Sequence, residues 1–168
     1  LRARVTVTRK RSKEFERFLA EMRAASAGPH VTVGVHETAG EYPKKPGSKS
    51  EAPSVVDVAV WNEFGTESIP SRPFIRNVLH TKRSEINVLR AKLAKQIFGG
   101  KITIHQALEV IGFRVQQWIV NQISGRSPFE ANAPSTIAAK KADNVSPPNK
   151  PLYHTGLLMR SIGYKVQK

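Results

Sequence analysis

The two residues best placed to act together are Glu63 and Arg72, a carboxylate and a guanidinium on either side of Gly65 and Pro70, with Pro73 directly after. Within hydrogen-bond reach they would form a charge-assisted pair that braces a bend. The alternative is that both face water, where such pairs contribute little. Glu63 could also be imagined as a general base beside Arg72. No partner constellation accompanies it, however, and a proline-locked corner explains both residues without a reaction. His30 and His36 are the other candidates for ligand chemistry, but a third metal ligand is not evident near them, and solvated histidines are the expectation.

Other catalytic signatures are missing from the sequence. It contains no Gly-x-Ser-x-Gly, no Gly-x-x-x-x-Gly-Lys loop and no His-Glu-x-x-His. Cysteine is absent, which excludes disulfides and thiolate metal sites. Acidic residues are few and dispersed, whereas metal-dependent nucleases need clustered carboxylates. The expectation is a protein that is not an enzyme and uses no cofactor or metal.

The elements that position Glu63 and Arg72 can be read from pattern. Ser54 starts an apolar run, Val55 to Phe64, that reaches Gly65, the residue best able to end a helix in the left-handed conformation. Its valines favour a strand as the alternative for residues 55–61. As a helix it is apolar nearly all round, which predicts burial on more than one side. Pro70 and Pro73 push Ile69 and Arg72 toward extended angles, and Pro73 suits the start of a new helix. The stretch therefore reads as helix, rigid corner, helix.

Earlier in the chain, residues 4–8 alternate as a short strand, and Ser12 can cap a helix carrying Phe15, Phe18, Leu19 and Met22 until Gly28-Pro29 stops it. Residues 30–37 alternate again, with Val31, Val33 and Val35 on one face. Residues 38–53 are a Gly-, Pro- and Lys-rich loop, either disordered or used for contact through Lys44, Lys45 and Lys49.

After Pro73 one long helix is predicted to residue 98, with Ile86, Leu89, Leu93 and Ile97 in a stripe, ended by Gly99-Gly100. Thr103 and Gln106 have capping-box spacing for a second long helix closing near Gly125, so the two should form an antiparallel hairpin. Residues 126–151 hold five of the chain's 11 prolines and show no period, so they are expected to form an extended arm that orders on a neighbour. Thr155-Gly156 then opens a short helical turn, and residues 162–166 alternate as a last strand. The fold class is α+β, one domain over residues 1–168, with a small antiparallel sheet of about three strands packed against several helices.

The chain has 27 Lys and Arg against 13 Asp and Glu, a formal net charge of +14. That surplus favours a polyanionic partner, whether nucleic acid, a membrane surface or an acidic protein, and does not choose among them. The densest cluster is Arg9-Lys10-Arg11-Ser12-Lys13; Lys140 and Lys141 form another pair expected to meet partners. No apolar run reaches the ~20 residues of a membrane helix, and the basic start lacks an apolar signal core, so a soluble, non-exported protein with no membrane partner is expected. The chain opens on Leu1 rather than methionine, leaving room for residues before it in the gene product.

Asn62-Glu63-Phe64-Gly65-Thr66, followed by Pro70, Arg72, Pro73 and Phe74, resembles the signature of the tail-completion, or head-to-tail joining, proteins of tailed bacteriophages. Leu152-Tyr153-His154-Thr155-Gly156-Leu157-Leu158-Met159-Arg160-Ser161-Ile162 is similar to the segment with which members of that family tend to end. The resemblance covers roughly residues 54–168.

The resemblance implies a virion protein of the neck, assembled in the host cytoplasm. It further implies a homo-oligomeric ring, commonly a hexamer, stacked between a portal connector or head-closure ring and the tail tube or its terminator. Genome DNA would pass through the lumen. A tail terminator or other morphogenesis protein is the alternative within the virion. A basic nucleic-acid-binding module is the alternative outside it, although no reading helix or aromatic stacking platform is recognisable. If the basic loop meets an acidic neighbouring ring, neutralising Lys44, Lys45 and Lys49 should impair head-tail joining more than folding. Infectious-particle counts beside melting curves check this, and normal particle yields would count against it.

Overall fold

The computed structural model describes residues 20, 28–44, 51–125 and 128–167. The strand expected at residues 4–8 and, residue 20 apart, the helix expected after Ser12 lie outside them. The fold is α+β. Strand β1 (His30–Val35) pairs antiparallel with β2 (Ile162–Gln167), setting Val31 against Val166, Val33 against Tyr164 and Val35 against Ile162. Alternation places these pairs on one face of the sheet. Two strands are seen among the described residues; the third that was expected is the one at residues 4–8.

Helices α1 (Val55–Phe64), α2 (Phe74–Thr81), α3 (Arg83–Phe98) and α4 (Ile104–Ser124) follow β1. Two more, α5 (Pro134–Ala142) and α6 (Leu157–Arg160), precede β2. The α3–α4 hairpin forms as its stripes predict. The capping box is complete: the Gln106 N–H donates to Thr103 Oγ1 (3.2 Å), and the Thr103 N–H donates to Gln106 Oε1 (2.9 Å). Together these satisfy two of the groups that a helix start leaves open.

The single long helix expected from Pro73 to residue 98 is instead two, joined at Lys82 (φ −98°, ψ 11°). Thr81 Oγ1 donates to the Asn77 carbonyl (2.8 Å), a back-bond that bends helices, and the bend falls at the next residue. The apolar periodicity continues across the joint, so the sequence pattern did not reveal it.

The core gathers Val55 and Ala59 of α1, Phe74 and Val78 of α2, Val115, Ile119 and Ile123 of α4, Leu158 of α6 and Ile162 of β2. Phe74 is fully buried. On α1 the buried residues are Val55, Ala59 and Glu63, a single stripe at four-residue spacing. Val60, Trp61 and Phe64 stay exposed, which corrects the expectation of burial on several sides.

Helix α4 crosses both strands at Gly112. A Cβ there would sit 2.6 Å from Tyr164 Cδ2 and 2.7 Å from Val31 Cγ2, closer than such atoms can approach. Alanine gains about 1 kcal/mol in helix propensity, but an extra methyl forced into a packed contact costs about 1–3 kcal/mol. Gly112→Ala should therefore lower stability, by up to about 2 kcal/mol from these opposing figures. A urea midpoint that falls at unchanged slope would show it; an unchanged or raised midpoint would mean the sheet gives way freely.

Candidate functional site

The corner between α1 and α2 forms where predicted. Ser54 caps α1 by accepting from the Asp57 N–H (3.0 Å), and the helix ends at Gly65, whose N–H donates to the Trp61 carbonyl (2.9 Å). Gly65 has φ 81° and ψ 170°, so it is not in the left-handed helical region as expected, but in an extended conformation of positive φ that is essentially glycine's own. A Cβ there would also meet the Ser71 nitrogen at 3.0 Å and the Ile69 oxygen at 3.1 Å. The bend is closed by backbone bonds, the Thr66 N–H to the Ile69 carbonyl (2.8 Å) and the Arg72 N–H to the Asn62 carbonyl (2.6 Å).

Glu63 and Arg72 neither brace the bend as a pair nor face water. The Glu63 side chain instead caps α2. Its Oε2 accepts from the Ile75 N–H (2.9 Å), and its Oε1 accepts from both the Arg76 N–H (2.9 Å) and Arg76 Nε (3.0 Å). The physical reason lies in Pro73. It is the N-cap of α2 but has no acceptor on its side chain, so the second and third N–H groups of the helix need one from elsewhere. Glu63, buried to 5% exposure at the end of α1, supplies it as an anion at a helix start. Arg76 also lies over the Phe64 ring, 4.6 Å from its centroid.

Arg72 turns the other way, to residues 128–153. Its Nε donates to the Glu130 carbonyl (3.1 Å) and its Nη2 to the Ala131 carbonyl (3.2 Å). That stretch is not the extended arm expected. Pro134 opens helix α5 at a first-turn position where a missing N–H costs nothing, and Ala138, Ala139, Lys140, Lys141 and Ala142 are strong helix formers. Lys140, expected on the surface for partner contact, is buried, and its Nζ donates to the Lys150 (2.7 Å) and Tyr153 (2.6 Å) carbonyls. Asn132 Nδ2 donates to the carbonyls of Pro148 (3.3 Å) and Lys150 (3.0 Å). The proline-rich chain thus closes around two interior side-chain donors.

Between this closed segment and the corner lies an open groove of about 1360 Å³. Arg72 and Lys140 line it, Thr155 and Lys44 reach it, and Tyr42, Ile69 and Pro70 form apolar wall. The base of the 38–53 loop makes one side. Its ends are zipped, the Tyr42 N–H donating to the Pro53 carbonyl (3.0 Å) and the Val55 N–H to the Gly40 carbonyl (3.0 Å). Burial pushes the Arg72 guanidinium and the Lys140 ammonium below their ordinary pKa values, and the charge of Arg72 pushes Lys140 further down. Burial raises the Tyr42 phenol. Asp143 and His154 pair at the groove wall (3.1 Å).

Of the other predicted residues, Thr155 Oγ1 accepts from the Leu157 N–H (3.3 Å), and Gly156 is left-handed (φ 75°, ψ 1°) at the start of α6. Leu157 packs on the core, and Ser161 caps the end of α6. Lys44 and Lys141 are exposed; Lys45 and Lys49 lie outside the described residues. His36 Nε2 lies 3.2 Å from Thr32 Oγ1, and His30 Nδ1 lies 2.9 Å from the Gly28 carbonyl oxygen. Among the described residues no three His, Cys, Asp or Glu side chains gather as a metal site, and no helix is long and apolar enough to cross a membrane. No family model, curated protein or solved structure matches the chain.

Arg76 and Asn132 were missed in the sequence. A signal existed for Arg76, since a helix opened by proline needs an acceptor, and a carboxylate that supplies one sits beside the third residue of that helix. The ranking of contacts can be measured. Glu63→Ala leaves two part-buried helix N–H groups without their acceptor and should cost about 1–3 kcal/mol. Arg76→Ala, whose side chain is 54% exposed, should cost under about 1 kcal/mol. Equal losses in urea denaturation would mean that the ion pair, not the cap, carries the corner.

Proposed function

We propose that this chain is a structural protein of a tailed-bacteriophage virion, forming a ring in the neck that completes the tail and joins it to the head. The observation that carries this reading is that the two segments on which the resemblance rests share one core. Phe74, at the end of the first, packs in the same buried cluster as Leu158 and Ile162 of the second. Two matching segments so far apart in the chain, folded into one unit, are more readily explained by a common architecture than by chance likeness of either.

In this reading the partners are further copies of the chain, commonly six in a ring, a portal connector or head-closure ring on one side, and the tail tube or its terminator on the other. The exposed apolar residues Val60, Trp61 and Phe64 lie on the helix that leads into the corner and suit contact with a neighbouring copy. The basic surplus suits acidic faces of adjoining rings rather than the lumen, since a strongly basic lumen would retain DNA by its phosphates. The role is assembly and involves no catalysis.

Native mass spectrometry of the protein, alone and mixed with tail tubes or connector-bearing heads, tests the reading. A ring, or a monomer that becomes a ring on particles, is the expected outcome, and Phe64→Asp should abolish the ring while leaving melting within about 1 kcal/mol of the parent, because the side chain is already 63% exposed. A persistent monomer that ignores particles and binds DNA would overturn it in favour of a nucleic-acid-binding module.

A further inference from the structure

We propose that the groove over Arg72 and Lys140 binds an extended acidic segment of another protein chain, one carboxylate of which seats against the two cations. Neither cation is neutralised among the described residues. Arg72 is 6% exposed and Lys140 7%, and every hydrogen bond their side chains make among the described residues goes to a backbone carbonyl. Among the described residues no carboxylate stands within ion-pair distance of either one. Glu130 acts on Arg72 only through the longer-range field, and the charge that Lys140 feels is that of Arg72. Two buried like charges held by neutral acceptors carry an uncompensated desolvation cost, which an anion placed between them would relieve.

Unused donors are available. Lys140 Nζ has three N–H groups, and two carbonyls engage it. Among the described residues Arg72 Nη1 has no hydrogen-bond partner, yet no buried side-chain nitrogen or oxygen is left without one. Nη1 therefore reaches solvent, and the solvent Arg72 borders is the groove. A carboxylate accepting from Nη1 and from the third N–H of Lys140 would complete both.

The shape selects the occupant. At about 1360 Å³ the groove exceeds the ~300–1,000 Å³ typical of small-molecule sites. Its walls mix apolar side chains, Tyr42, Ile69, Pro70 and Tyr153, with polar ones, as an extended peptide requires. Duplex DNA fits poorly. Its phosphates, fixed on the outside of a wide and stiff duplex, do not reach side chains that are only 6% and 7% exposed. An Asp or Glu side chain can reach the floor from an extended backbone. This chemistry does not depend on ring assembly.

Fluorescence anisotropy with a fluorescein-labelled hexaglutamate peptide tests the proposal on the full chain. Binding that weakens with salt is expected, with affinity about tenfold or more lower in Lys140→Met and unchanged in Lys95→Gln, an exposed lysine on α3. Backbone NMR of the unaltered protein during the same titration decides the matter even if the variant fails to fold. Shifts should gather at Tyr42, Ile69, Asn132 and Tyr153. No binding, equal losses in the two variants, or shifts spread over other basic surface would overturn the proposal. So would inorganic phosphate or a DNA duplex displacing the peptide at lower concentration, since the site would then be one for phosphate.

Discussion

The corner depends on one carboxylate. Helix α2 begins at a proline, and proline solves half of a helix-start problem while worsening the other half. Its fixed φ suits the first turn, but it brings no side-chain acceptor for the N–H groups that follow. Glu63 fills that lack from the end of the preceding helix, so capping α2 and fixing its angle to α1 are one interaction. Because Glu63 is the last buried residue of the α1 stripe, its position is set by Val55 and Ala59 beneath it. Phe74, the first residue of α2, is delivered to the same core. Capping and packing therefore stand or fall together, and the Gly65 geometry, unavailable to other residues, is what lets the chain turn tightly enough for this.

Freed from Glu63, Arg72 is available to hold the proline-rich segment. Arg72 reaches it from the corner, Lys140 from within, and Asn132 from its start, all through backbone carbonyls. Such a segment lacks ladder partners for those carbonyls, because prolines interrupt both helix and strand, and side-chain donors take their place. Choosing cations for this task has a consequence. A neutral donor would have closed the segment without bringing charge to the groove, whereas Arg72 and Lys140 satisfy the carbonyls and place two cations in its lining.

What was legible in the sequence follows the distinction between periodic and local signals. The α3–α4 hairpin, the Thr103 capping box and the pairing valines of β1 rest on patterns that repeat or on contacts within one turn, and they form as read. The corner's existence was legible because Gly and Pro punctuate strongly. Its wiring was not, because Arg72 and Arg76 both lie in reach of Glu63, and only the three-dimensional start of α2 decides between them. Helix α5 was hidden by the prolines around it, although Pro134 followed by alanines and lysines is itself a helix start. Gly112 gave no signal at all, since a helical glycine reads as a mild defect until a sheet is laid against it.

Charge connects the fold to the proposed assembly. Several of the few acids are already committed inside the chain: Glu63 to the start of α2, Asp57 to Ser54, Glu85 to Lys82, and Asp143 to His154. The cations outnumber them, and apart from the buried Arg72 and Lys140 most of those described are exposed. Copies of a protein with a net charge of +14 repel one another, and at physiological salt screening acts only beyond about 8 Å, so neighbours in contact still feel the repulsion. In the proposed ring, apolar contacts such as Phe64 would therefore work against charge until an acidic surface neutralised it. A ring built on this principle would be unstable in free solution and would close on its particle, tying completion of the proposed ring to arrival at the right place.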